Sequence, residues 1–120
     1  MDEFEGIWRG GGKIYTKNIV DFHIEEKIDY AEIRINKLST YVYEIEVRAD
    51  LFPDYVDRLL GFYNANTKTI NAVHHGVLFK TNGISNFYIK NCKLYNGFNF
   101  ISATDFITGN LKLKKQLNLK

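Results

Sequence analysis

From residue 20 to residue 25 the chain alternates without a break: Val20, Phe22 and Ile24 are apolar, while Asp21, His23 and Glu25 are polar. Successive side chains of a strand point to opposite faces, so a period of two marks a half-buried strand, not a helix. Ile28 and Tyr30 carry the apolar phase beyond Glu26. The phase then reverses, with Ala31, Ile33 and Ile35 apolar and Glu32, Arg34 and Asn36 polar. A reversal of this kind predicts a turn or bulge near Asp29-Tyr30. After Leu38-Ser39-Thr40 the alternation resumes, with Tyr41, Tyr43, Ile45, Val47 and Ala49 on one face and Glu44, Glu46 and Arg48 on the other.

The second half is punctuated by turn residues. Asn82-Gly83, Asn96-Gly97 and Gly109-Asn110 are candidate two-residue corners, because Asn and Gly tolerate the positive φ that tight hairpins require. Asn64-Ala65-Asn66-Thr67 predicts a looser corner. One segment competes with the strand pattern. Phe52, Tyr55, Val56, Leu59 and Leu60 have the spacing of a helical apolar face, with Pro53 placed to start a helix and Gly61 to stop it. Val56, Arg58, Leu60 and Phe62 also alternate with their neighbours, so a short helical turn over 53–58 leading into a strand is expected. Nothing in the chain encodes a long crossover helix. The expectation is a single all-β domain over 1–120, an antiparallel up-and-down β-barrel of about eight to ten strands with at most one short helix.

Composition narrows the setting. The chain is 120 residues long, 45% hydrophobic and 15% aromatic, enough for one genuine core and too apolar for a disordered tail. No run of about 18 apolar residues is present, so no membrane-spanning helix is expected. The acidic start, the single Cys92 and the lack of an Asn-x-Ser/Thr acceptor point to an intracellular protein. Charge is unevenly divided. Residues 1–60 hold 8 Lys/Arg against 13 Asp/Glu, a net −5, whereas residues 61–120 hold 8 Lys against one Asp, a net +7. Such a split marks an anion-binding face, or strands of opposite charge pairing within the sheet, or a homo-oligomer that joins unlike faces.

Gly6-Ile7-Trp8, followed by Arg9-Gly10-Gly11-Gly12 on the first strand, resembles the Gly-x-Trp signature of the calycin barrels, which include the lipocalins, the fatty-acid-binding proteins and avidin-like proteins. Thr104-Asp105-Phe106 looks like the Thr-Asp-Tyr element of lipocalins, although it lies near the C-terminus with room for one further strand. The resemblance implies a barrel closed at one end by the tryptophan. Lipocalins commonly stack a late-strand arginine on that ring; here the last arginine is Arg58, so Lys112, Lys114 or Lys115 would have to replace it. The resemblance also implies an interior that holds a small, partly apolar or aromatic molecule, with Trp8, Val20, Phe22, Ile24, Tyr41, Tyr43 and Ile45 as its expected lining. A filled barrel acting as a structural or self-assembling protein is the alternative.

Candidate chemistry is thin. His74-His75 would point to opposite faces of a strand and so could not ligate one ion together, and no metal or cofactor is expected. Cys92, read as mid-strand, is expected to be a small buried hydrophobe, not a nucleophile. Glu25-Glu26 and Glu44/Glu46 are expected on a solvated face, and glycines 10–12, which precede no helix, as a bend in the first hairpin. No catalytic residue is assigned and an enzyme is not expected. One further pattern stands out. Phe79-Lys80, Phe87-Tyr88, Lys90, Lys93, Tyr95, Phe98 and Phe100 interleave aromatic rings with lysines. Rings for stacking and cations for the backbone are what single-stranded nucleic acid requires, so Lys80, Tyr88, Lys90, Lys93 and Tyr95 form a candidate nucleic-acid surface.

Overall fold

In the computed structural model, which describes residues 2–18, 23–51, 53–54, 56–74, 82–101 and 105–117, eight strands close into one antiparallel barrel. They are β1 (Gly6–Asn18), β2 (His23–Ser39), β3 (Val42–Ala49), β4 (Asp57–Asn64), β5 (Thr69–His74), β6 (Asn82–Lys90), β7 (Lys93–Ile101) and β8 (Asp105–Lys115). Each pairs with its successor, and β8 returns to β1, so the connectivity is up-and-down throughout. Closure removes the exposed edges that an open sheet would present.

The phase reversal in β2 is a bulge. Gly10 is opposite Ala31 and Gly12 is opposite Ile28, so the single Gly11 faces both Asp29 and Tyr30. The extra residue lets Ile28 and Ala31 both turn inward while Asp29 and Tyr30 both stay exposed. Glycines 10–12 are therefore not a hairpin bend. They lie inside β1 where the strands crowd: a Cβ on Gly10 or Gly12 would run into the carbonyl oxygens of Lys112 and Asn110 on β8.

All three expected Asn/Gly corners fall inside strands instead. Gly83 begins β6 opposite Phe100, while Gly97 and Gly109 lie mid-strand in β7 and β8. Their small size serves packing, because the rings of Phe100 and Phe98 occupy the space that a side chain on Gly83 or Gly109 would need. The true β6–β7 corner is Asn91-Cys92, both at positive φ (52° and 64°), enclosed by the Lys90–Lys93 pair. Cys92 is accordingly exposed at a tight turn, not buried in a strand. The looser corner after β4 is as expected, with Asn64 Oδ1 accepting from the amides of Asn66 (2.9 Å) and Thr67 (3.3 Å). The helical spacing over 53–58 gives no helix among the described residues. Asp57 already pairs with Val47, and Leu59 points inward while Leu60 is exposed, which is strand alternation.

The core is the barrel interior, with Trp8, Phe87, Ile33, Ile45, Ile70, Leu94 and Leu113 fully enclosed. Its lower end is closed by the N-terminal segment. Phe4 packs edge-on against Tyr43 and Tyr63, and its carbonyl accepts from Trp8 Nε1 at 2.9 Å. Asp2 latches this plug by accepting from Tyr43 Oη at 2.6 Å, from Phe4 N at 2.9 Å and from Lys37 Nζ at 3.3 Å. Burial acts to raise the Asp2 carboxyl, but these three hydrogen bonds outweigh it and hold the pKa below its ordinary value. Lys115 Nζ stands 5.3 Å from the Trp8 ring centroid, so the last lysine of β8 covers the tryptophan.

Candidate nucleic-acid interface

Paired residues of an antiparallel ladder share a face, so the register assembles the outer surface row by row. Lys90 on β6 pairs with Lys93 on β7, which pairs with Lys114 on β8, which pairs with Arg9 on β1. With strands about 4.8 Å apart, this basic row spans about 14 Å across the sheet. Two residues along each strand, roughly 7 Å away, runs a parallel row of Tyr88, Tyr95 and Lys112. Tyr88 and Tyr95 stack with centroids 5.1 Å apart and planes 12° from parallel, and Lys112 Nζ lies 5.9 Å from the Tyr95 centroid. Among the described residues, Lys90, Lys93, Lys112 and Lys114 make no ion pair. The nearest carboxylates in these rows, Glu32 and Asp29, belong to β2.

Four of the five residues expected on this surface therefore come together, while Lys80 lies outside the described residues. What unites them is the Asn91-Cys92 corner. On one continuous strand Tyr88 and Lys90 would face away from Lys93 and Tyr95; the two-residue turn reverses the chain and puts all four outside. Lys112, Lys114 and Arg9 complete the surface. Their signal was the strict alternation Leu111-Lys112-Leu113-Lys114, which sends both leucines into the core and both lysines to solvent. The phenylalanines of the same stretch do not belong to it: Phe87 is wholly enclosed, and Phe98 and Phe100 share the inner face with it.

The opposite wall is built differently. On the outside of β2, β3 and β4, Glu32 accepts from Arg34 Nε at 2.8 Å and Arg9 Nε at 3.0 Å, and Glu46 accepts from Arg58 Nε at 3.3 Å and Arg48 at 3.4 Å. All four arginines of the chain are spent on these two glutamates. The hydrogen bond from Arg34, with that from Arg9, holds Glu32 below its ordinary pKa against the opposing effect of burial. Glu44 and Glu46 thus both lie on the outer surface, Glu46 held between two arginines. Their spacing puts no carboxylate pair in a cleft.

The expected interior lining divides. Trp8, Tyr43 and Ile45 do face inward, but at 2%, 2% and 0% exposure they are closed into the core. Tyr41 does not line the interior: the corner falls at Thr40-Tyr41, ahead of β3, and leaves it 58% exposed. Ile24 is also outside the core. It sits near the upper end of β2, 37% exposed, on a groove of about 250 Å³ whose other walls are Tyr15, Thr16, Lys17, Glu25, Phe106 and Thr108. Val20, Phe22 and His75 lie outside the described residues, and of His23 and His74 only the backbone is described. Comparison of the chain with family models, with curated proteins and with solved structures gives no match.

Proposed function

We propose that this barrel is a binding module that takes single-stranded nucleic acid across the outer face of β6, β7, β8 and β1. The observation that carries it is the pair of parallel rows, one of Lys90, Lys93 and Lys114 with no carboxylate partner among the described residues and one of stacked Tyr88 and Tyr95 followed by Lys112. Point charges on flexible stems suit the phosphates, and the exposed side of the tyrosine stack extends naturally by one base. Sequence-independent binding is what such a surface offers, since it presents charge and ring faces.

A small apolar molecule deep in the barrel is less well supported, because Tyr41 and Ile24 stand outside the core and the remaining described candidates are packed within it. Self-assembly through unlike faces draws less support from the wall of β2, β3 and β4, because Glu32 and Glu46 there already accept from all four arginines. Lys115 over Trp8 supports kinship with the calycin barrels, whose fold carries many unrelated functions.

The test is the affinity for a fluorescent 15-residue deoxythymidine oligonucleotide, read by anisotropy over a series of salt concentrations. Four lysines engaged on phosphates predict a slope of log K against log salt near −3, from roughly −0.7 per contact on single strands. No binding at 20 mM salt, or a slope near zero, would refute the proposal.

A further inference from the structure

The groove beside Ile24 lies at the upper end of three strands, built mainly from the outward side chains of Tyr15, Lys17, Glu25, Phe106 and Thr108, with Thr16 and Ile24 of the opposite phase completing it. Tyr15 pairs across with Thr108 on β8 and Glu25 on β2, and Lys17 pairs with Phe106 on β8. Tyr15 and Phe106 are 39% and 44% exposed, so two partly wet aromatic rings line a small concavity. A surface apolar patch with few polar groups at its rim is where a ligand gains from leaving water.

The rim fixes the sign of the ligand. Glu25 already accepts from the Tyr15 phenol and has Lys13 Nζ at 3.9 Å. Thr108 Oγ1 is committed to Asn99 Oδ1 at 2.7 Å. Lys17, by contrast, makes no ion pair among the described residues, and it is the one cation among the described lining residues. We infer that this groove seats a small aromatic anion, its ring between Tyr15 and Phe106 and its carboxylate or other acidic group on Lys17. The site lies two ladder rows from the tyrosine stack, and it does not rest on nucleic-acid binding.

The probe is 2-naphthoate, titrated into the labelled protein and followed by backbone-amide and methyl NMR, with 2-naphthalenemethanol as the uncharged control. Shifts are expected at Tyr15, Lys17, Ile24, Phe106 and Thr108. Phe106→Ala should weaken naphthoate about tenfold through loss of a stacking wall. Lys17→Ala should weaken it about threefold, the worth of a partly exposed ion pair, while leaving the alcohol unaffected. Neither change should alter oligonucleotide affinity by more than the loss of one distant charge. Absence of shifts in the groove at millimolar naphthoate overturns the inference. So does a Phe106→Ala variant that keeps its fold by NMR and binds naphthoate as before, or one whose only defect is in oligonucleotide binding, which would make the groove part of the polymer's path.

Discussion

The two sides of this barrel use their cations in opposite ways. Glu32 on β2 and Glu46 on β3 gather all four arginines, Arg34, Arg48 and Arg58 from β2, β3 and β4 and Arg9 from the neighbouring β1, and each guanidinium donates to a carboxylate. On β6, β7 and β8 the outward cations are all lysines, with Tyr88 and Tyr95 beside them and, among the described residues, no carboxylate paired to them. Arginine's fixed geometry favours a permanent partner within the fold, while lysine's flexible, hydrated charge keeps itself available. The two outer walls therefore differ in whether their cations are already paired. On the outside of β2, β3 and β4 the arginines are paired with carboxylates of the same wall; on β6, β7 and β8 the lysines make no ion pair among the described residues.

The sharpest way to break this contrast is to invert one side. Lys90→Glu, Lys93→Glu, Lys112→Glu and Lys114→Glu together should lower oligonucleotide affinity by at least about a hundredfold at low salt, since each lost phosphate contact compounds the last. Arg48→Gln with Arg58→Gln, on the opposite wall, should leave it unchanged. Next in size is the tyrosine row. Tyr88→Ala should weaken binding by about tenfold, within the usual range for one base–aromatic stack, with less effect on the salt slope. A third substitution sharpens the comparison instead of breaking it. Glu32→Gln frees Arg9 at the end of the basic row, which should steepen the salt slope by about 0.7, while costing about 1 kcal/mol of stability in urea unfolding.

The smallest expected effect is that of pH on the fold. Asp2, Glu32 and Glu46 all have folded-state pKa values depressed by their hydrogen-bond partners. Their contribution is fully present above the unfolded values, about 4 for carboxylates, and is lost as pH falls through the lower folded values. Urea midpoints should thus be flat from pH 7 to 5 and decline below about pH 4. The Glu32→Gln variant should show a shallower decline, because one of the three linked groups is gone.

Much of the fold was readable from the chain, because closure needs only alternation and reversals. The bulge at Asp29-Tyr30 was visible as a phase change, since two consecutive outward residues are what an extra residue in a ladder produces. The corners were not. Asn-Gly pairs mark residues tolerant of positive φ, but glycine is also the residue that yields room to a ring, and Gly83 and Gly109 are used that way. The actual corner at Asn91-Cys92 pairs a tolerant Asn with a Cys and carries no glycine, so it was outweighed by the Asn-Gly pairs on either side. That one displacement governed the candidate site. Tyr88, Lys90, Lys93 and Tyr95 were recognisable as a set by composition, yet their shared face depends on a turn the local sequence did not announce. Tyr41 and Ile24 failed for a related reason. Alternation gives the phase of a side chain, but it does not say where a strand stops or how far the core extends along it.

The central claim is that the lysine–tyrosine wall, and not the arginine–glutamate wall, is the surface that meets a partner. A nitrogen–proton correlation NMR titration with the deoxythymidine oligonucleotide at low salt addresses it directly, because both walls are seen in one experiment. Shifts are predicted at Tyr88, Lys90, Lys93, Tyr95, Lys112 and Lys114, with Arg34, Arg48 and Arg58 unmoved. Shifts centred on β2, β3 and β4, or none on β6, β7 and β8, would contradict it.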